Sequence, residues 1–317
     1  MVVAGLSGAV DRARAAENAA GFYLLGARGP GAGLLAPEGL YFQNTAYLYG
    51  GGLSGSRSLP VGGNIAAGLR GTILGDFATL QWVTPWQVFG GRIAFNGSLP
   101  IGGPWVKANV TVGPFTGSRS DNTFTIGDPV FGATIGWTFD KFHISANATV
   151  NTPVGQYNEG ALANLAFHRW AGDFTLAATW LDPALGLDIS GAVGVTFNGM
   201  NPATNYRTGT EFHAEWAISK TLTKEWSVAL VGYHYQQVTG DSGPGAVLGD
   251  FKGRATALGG MVAYNFTAWE TPMQASVKVY REFNTQNRLQ GTAGFLTISM
   301  PLYMPGAPVG LLRSAMR

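Results

Sequence analysis

The sequence contains no cysteine among its 317 residues. This absence excludes thiol catalysis, disulfide bonds and cysteine-based zinc sites. Charged residues are also scarce, at 12% of the chain, which is about half of the roughly 25% usual for soluble domains. Since a soluble protein of this length needs charge to cover its surface, we expect part of the surface to face something other than water.

Several other signals are missing. The chain has no apolar run of about 18 residues, so no transmembrane helix is predicted. No basic run carries interleaved aromatics, and the net charge is only +2, so we expect no nucleic-acid partner. A G-x-G-x-x-A pattern begins at Gly31, but it lacks a preceding strand and a following helix. We therefore expect neither a nucleotide cofactor nor a metal.

What the sequence does contain is strict alternation, most clearly over FHISANATVN, residues 142–151. Phe142, Ile144 and Val150 fall on one side of this stretch, whereas His143 and Asn147 fall on the other. Successive side chains of a β-strand point to opposite faces, so a period of two predicts a strand with one apolar and one polar face.

The same alternation returns along the chain and predicts twelve strands, joined by short and long connections in turn. The short turns are expected near Thr84–Pro85, Asp140–Lys141, 182–186, 221–224 and 268–271. The longer, polar or glycine-rich connections are expected at 51–63, 101–124, 153–169, 199–208, 239–252 and 284–291. The predicted strands cover residues 40–50, 64–83, 86–100, 125–139, 142–152, 170–181, 187–198, 209–220, 225–238, 253–267, 272–283 and 292–302.

An even number of strands with alternating short turns and long loops is typical of a bacterial outer-membrane β-barrel. Aromatic residues near the short turns, among them Trp82, Trp180 and Trp226, suit the girdle at a membrane interface. A soluble β-sandwich or propeller would explain the alternation but not the low charge or the rhythm of the loops. We therefore predict an all-β fold, a transmembrane antiparallel up-and-down barrel of about 12 strands, in the bacterial outer membrane.

Three stretches resemble a known family. GFYLLGARGPGAGLLAPEGLYFQN, residues 21–44, leads into the aromatic TAYLYGG, NATVNTPVGQY ends a strand in a Pro-x-Gly turn, and GFLTISMPL closes the series. In these stretches the chain is similar to the outer-membrane channels described as involved in the meta-pathway of phenol degradation. The resemblance implies a monomeric twelve-stranded channel that admits small, rather hydrophobic molecules, including aromatic growth substrates.

If the apolar face of the barrel meets lipid, the polar face lines the lumen. These side chains would set the polarity of the pore, or pair across a narrow lumen and close it. Three of them, Glu211, His213 and Glu215, share one strand face and could instead bind a metal or serve as acid and base in a barrel enzyme, alternatives that we do not favour. The predicted lumen-lining residues are Arg70, Arg92, His143, Asp173, Glu211, His213, Glu215, Lys278, Tyr280 and Glu282.

The segment before the first strand is apolar and rich in glycine and proline. It cannot lie in lipid without partners for its backbone groups, so it must cap the barrel, enter its lumen or stay mobile below it. We expect it to enter the lower lumen as a plug, with Phe22, Tyr23, Leu24 and Leu25 as the candidate plug residues. The predicted organisation is a signal-peptide remnant at 1–15, this segment at 16–39, the barrel at 40–302 and a C-terminal extension at 303–317.

The predicted function is passive or gated uptake of a small hydrophobic or aromatic molecule, without catalytic residues. The expected surroundings are outer-membrane lipid and lipopolysaccharide. A closed, mainly structural barrel and a barrel enzyme are the alternatives.

Overall fold

The computed structural model describes residues 21–53, 58–61, 64–112, 115–247, 249–250 and 252–306. The predicted signal-peptide remnant and positions 307–317 of the predicted extension lie outside these ranges. No helix long and apolar enough to span a bilayer occurs in the described part of the chain. The strands are β1 Gly39–Gly52, β2 Ser58–Val61, β3 Asn64–Val88, β4 Gly91–Val112, β5 Phe115–Asn122, β6 Thr125–Ile126, β7 Val130–Phe139, β8 Phe142–Asn151, β9 Ala171–Asp182, β10 Leu187–Asn198, β11 Met200–Asn201, β12 Tyr206–Arg207, β13 Glu211–Thr221, β14 Trp226–Gln237, β15 Arg254–Ala268, β16 Thr271–Gln286 and β17 Gln290–Tyr303.

Twelve of these strands form a closed antiparallel barrel. The hydrogen-bonded order is β3-β1-β17-β16-β15-β14-β13-β10-β9-β8-β7-β4, and pairing of β4 with β3 closes the ring. The first and last barrel strands pair from Leu40 with Tyr303 to Gly52 with Gln290, with one register shift between Leu40 and Tyr41. Because the barrel is closed, no strand has a free edge. A strand in lipid must have all its backbone groups paired in this way. The predicted all-β, twelve-stranded up-and-down barrel is thereby confirmed.

The first short turn differs from the prediction. Thr84–Pro85 is not a turn, because β3 continues to Val88 and the chain reverses at Phe89–Gly90, where both residues have positive φ. A register shift between Val83 and Gln87 accommodates Pro85, since proline cannot donate to the ladder and is tolerated at a bulge.

The region 101–124 also differs, because it is largely strand and not a loop. Strand β4 runs on to Val112 and pairs with β5, which extends the sheet beyond the barrel. Gly102, Gly103 and Pro104 interrupt the alternation here, so the strand lacks the sequence pattern on which its prediction would depend.

The two faces of the barrel wall differ in polarity. Leu176, Leu230 and Leu296 point outward and are 61%, 50% and 49% exposed, whereas Thr179 and Ser190 point inward and are buried. Apolar surface of this extent does not suit a protein in water. It is the lipid-facing band of an outer-membrane barrel.

Candidate functional site

The segment that precedes β1 lies inside the barrel. Its residues approach the inner wall so closely that a side chain at Gly33 would not fit. A Cβ there would lie 2.5 Å from the His143 backbone oxygen and 2.7 Å from the Thr179 nitrogen. Gly26 has φ +84 and faces the Tyr280 ring, and a left-handed residue of this kind is least strained as glycine. The glycines thus allow an irregular chain to follow the wall.

The inner wall supplies hydrogen bonds that the segment cannot make within itself. The Gly31 amide donates to Asp188 Oδ2 at 2.9 Å and to Ser190 Oγ at 3.0 Å. The Gly33 amide donates to Thr179 Oγ1 at 2.9 Å, and Arg92 donates to the Ala36 carbonyl at 3.1 Å. Buried backbone groups need such partners, so these strands hold the segment in place.

Lys278 makes the most concentrated contact with the segment. Its Nζ donates to three successive carbonyl oxygens, those of Gly26 at 2.6 Å, Ala27 at 2.7 Å and Arg28 at 3.1 Å. The side chain is only 6% exposed. A buried ammonium needs several acceptors to offset its desolvation, and here the segment provides them.

A second contact joins the segment to the acidic face of β13. The Tyr23 ring stacks on His213 with centroids 3.5 Å apart, and the Arg28 amide donates to Glu215 Oε2 at 3.0 Å. His213 Nε2 lies 2.8 Å from Asp173 Oδ2, and both side chains are 1% exposed. The predicted row of Glu211, His213 and Glu215 therefore binds its neighbours and the segment.

The remaining predicted carboxylates lie nearer the long-loop end and are bound by tyrosines. Glu282 accepts hydrogen bonds from Tyr49 at 2.7 Å and from Tyr233 at 2.9 Å. Glu211 accepts from Tyr235 at 2.5 Å. These contacts join strands that are neighbours or lie two places apart in the barrel wall, and they fill this side of the upper lumen with paired polar groups and aromatic rings.

A cavity of about 1260 Å³ occupies the half of the lumen nearer the short turns. The barrel wall contributes neutral amides and hydroxyls, and the segment and Phe77 contribute apolar surface. The charged groups on its boundary are Arg28 on the segment and Lys224 and Glu225 at the mouth. The uncharged lining residues include Leu34, Leu35, Gln43, Phe77, Thr79, Gln81, Asn96, Ser98 and Asn147.

Nine of the ten residues predicted for the lumen point inward. These are Arg92, His143, Asp173, Glu211, His213, Glu215, Lys278, Tyr280 and Glu282.

Arg70 is the exception and is corrected here. It lies on the outward face with Leu74 and Trp82, while Leu69 next to it is buried. The inner face of β3 near Arg70 is apolar, because Leu69 lies there. The polarity of a residue therefore does not show which face of this part of β3 it occupies.

The four candidate plug residues differ in their surroundings. Leu25 is 8% exposed within an apolar cluster, against which Tyr23 and Leu24 pack, and Phe22 borders the cavity. No sequence signal indicated that Asp188, Ser190 and Thr179 would hold the segment, although the alternation of their strands had assigned them to the polar face.

The chain is similar to one family of known proteins. The family model of the MetA-pathway of phenol degradation matches residues 54–298. No curated protein sequence matches the chain.

Solved structures resemble the chain at low sequence identity. An outer membrane channel from Pseudomonas putida F1 is 16% identical, with a TM-score of 0.68 over 86% of this chain and 98% of that chain. A Pseudomonas aeruginosa FadL homologue is 10% identical, with a TM-score of 0.45 over 87% of this chain and 93% of that chain. The translocator domain of the autotransporter NalP from Neisseria meningitidis is 11% identical, with a TM-score of 0.46 over 84% and 90%.

Proposed function

Since the chain belongs to the family of the MetA-pathway of phenol degradation and folds as an outer-membrane barrel, we propose that it is a gated channel for small hydrophobic or aromatic molecules. The barrel lies in the bacterial outer membrane and, in this proposal, acts as a monomer. One observation carries the proposal: an irregular segment, residues 21–38, lies inside the lumen beside a large cavity.

The chemistry of the lumen favours an uncharged solute. Lys278, Asp173 and Glu282 are each bound by other protein groups, so they do not form the ring of available charge that selects ions in a pore. The cavity beside them presents leucine and phenylalanine surface with scattered amides and hydroxyls. A lining of this kind is typical of sites for small apolar ligands with a few polar groups.

The segment is the proposed gate. Its contacts to the wall are hydrogen bonds, one stacked ring pair and the apolar packing around Leu25, without a covalent link, so it can leave and return. When it moves, the cavity becomes continuous with the upper lumen and a solute can pass down its concentration gradient. Small apolar surfaces along the way would remove water from such a solute in stages.

Deletion of residues 21–36 tests the gate. The shortened barrel should show a higher single-channel conductance in a planar bilayer than the full chain, since the deletion removes the segment from the lumen. A Lys220→Met variant, changed on the outer face of β13, serves as control. Conductance equal to that of the full chain would contradict a plug.

Growth of the host tests the substrate class. Cells that lack the protein should grow more slowly than the parent only when a hydrophobic or aromatic carbon source is scarce, because diffusion through the outer membrane then limits supply. Unchanged uptake of every such compound at low concentration would exclude this function.

A mainly structural, closed barrel is the second candidate. The observation in its favour is the packed upper lumen, where Leu162 from the long loop after β8 is buried in the same cluster as Leu25. In that case the barrel that lacks residues 21–36 stays closed to ions, and growth of the host does not depend on the carbon source.

A further inference from the structure

Two cations face outward near the long-loop end of the barrel. Arg70 in β3 and Lys107 in β4 are direct cross-strand neighbours, and both are exposed. Like charges directly opposite each other destabilise an antiparallel pair. Neither cation forms an ion pair with any residue that the structure describes. An anion from outside the chain that approached the pair would offset this repulsion.

The position of the pair relative to the membrane identifies the kind of anion. Trp82 and Trp105 point outward on the same two strands and are 43% and 42% exposed. Trp105 pairs with Thr72, ten residues from Trp82 along β3. At about 3.4 Å per residue and a tilt of about 40°, ten residues rise about 25 Å, the height of the apolar band of such barrels. The two tryptophans therefore mark the two edges of the bilayer core.

Arg70 and Lys107 lie two residues beyond the Thr72–Trp105 pair, which is at the upper edge of the bilayer core. Two residues correspond to roughly 5 Å along the membrane normal, which is the level of the lipid headgroups. The long loops of outer-membrane barrels are extracellular, so the headgroups at this end belong to the outer leaflet. In the bacterial outer membrane that leaflet carries the phosphorylated glycolipid lipopolysaccharide.

The surroundings of the pair suit a phosphate group. A cleft of about 540 Å³ adjoins Arg70 and Lys107 and is also bordered by Ser118, Arg119 and Ser120, of which Arg119 donates to the Gly160 carbonyl. Ser120 is the neighbour of Lys107 on β5. Guanidinium and ammonium groups bind phosphate by charge-assisted hydrogen bonds, and serine hydroxyls donate to the remaining oxygens.

We propose that Arg70, Lys107, Ser118 and Ser120 form a binding site for a phosphate group of lipopolysaccharide on the outer wall of the barrel. The site is separate from the lumen and does not depend on the proposed channel function. It fixes the barrel to one phosphorylated headgroup in the outer leaflet.

Native mass spectrometry of the purified full chain tests the proposal with three probes: bisphosphorylated lipid A, fully dephosphorylated lipid A, and inorganic phosphate. The chain should retain the phosphorylated lipid in preference to the dephosphorylated one. The double variant R70Q/K107Q should bind the phosphorylated lipid about 30-fold more weakly, from roughly a factor of five for each cation at a charged membrane surface. The variant R70K keeps the charge and should lose little.

Lys224→Gln removes one charge at the opposite, short-turn end and is the matched control, with unchanged binding expected. Faster gel migration of unboiled than of boiled protein verifies that every variant is folded.

Three results would overturn the proposal. The first is equal binding of phosphorylated and dephosphorylated lipid A by the full chain. The second is equal binding of the phosphorylated lipid by the full chain and the folded R70Q/K107Q variant. The third is binding of inorganic phosphate as strong as that of the phosphorylated lipid, which would identify a site for a free anion.

Discussion

Replacing Lys278 by methionine should release the segment from the barrel wall. Methionine keeps much of the length and apolar contact of lysine, but it cannot donate to the carbonyl groups of Gly26, Ala27 and Arg28 that Lys278 binds at 2.6 to 3.1 Å. The three carbonyl oxygens then remain buried and lose this donor.

The size of the effect follows from those three contacts. Hydrogen bonds to a charged group contribute about 1.5–3 kcal/mol each, but removing the ammonium also removes its desolvation cost of several kcal/mol. Leaving a buried acceptor unpaired costs at least about 1 kcal/mol. Three acceptors give about 3 kcal/mol, which shifts the ratio of released to bound segment by roughly a hundredfold.

The absence of cysteine makes this measurable, because Leu25→Cys would carry the only thiol. Leu25 is 8% exposed, so a water-soluble thiol reagent reaches position 25 only when the segment leaves the wall. Labelling of the Leu25→Cys chain should be about a hundredfold faster when Lys278 is also methionine. The same chain with Lys224→Met is the control. Equal labelling rates in the two folded variants would refute the role assigned to Lys278.

Three further predictions concern other parts of the chain. Gly33→Val should raise single-channel conductance, because its side chain would overlap wall backbone atoms within 3 Å; unchanged conductance would contradict the bound position of the segment. Glu270→Gly should stabilise the barrel by roughly 1 kcal/mol in urea unfolding, since Glu270 has φ +60 and left-handed backbone disfavours side chains; a lower midpoint would contradict this. Burial raises the pKa of Asp241 in the loop after β14 to about 6. The loop should then be most stable below about pH 4 and lose that stability as the pH rises through about 6. Amide exchange of residues 238–247 at pH 5 and pH 7.5, corrected for intrinsic rates, should show this dependence, and Asp241→Asn should abolish it.

The strand content of the barrel could be predicted because alternation is a local property of the backbone. Over β8, β9 and β13 nearly all bulky apolar residues face lipid and nearly all polar residues face the lumen, while alanines lie on both faces, so the period of two identifies both the strand and its faces. The predicted boundaries of these strands differ from the observed ones by only one or two residues.

Where the two faces have similar polarity, the same reasoning fails. Leu69 and Ile73 pack into the upper lumen, and a register shift lies between Ala67 and Arg70. Arg70 consequently points outward, although a polar residue in a barrel strand is expected inside. The turn expected at Thr84–Pro85 was wrong for a related reason, since proline is compatible with both a turn and a bulge.

The barrel, its number of strands and the requirement of residues 21–38 for backbone partners away from lipid could all be predicted from the sequence alone. These properties follow from side-chain periodicity and from the cost of unpaired backbone groups in a bilayer. Only the tertiary structure decided which wall groups hold the segment, and that Arg70 stands beside Lys107 on the outer surface. Asp188 and Lys278 belong to strands far apart in the chain, and they reach the same segment because closure of the barrel brings those strands around one lumen.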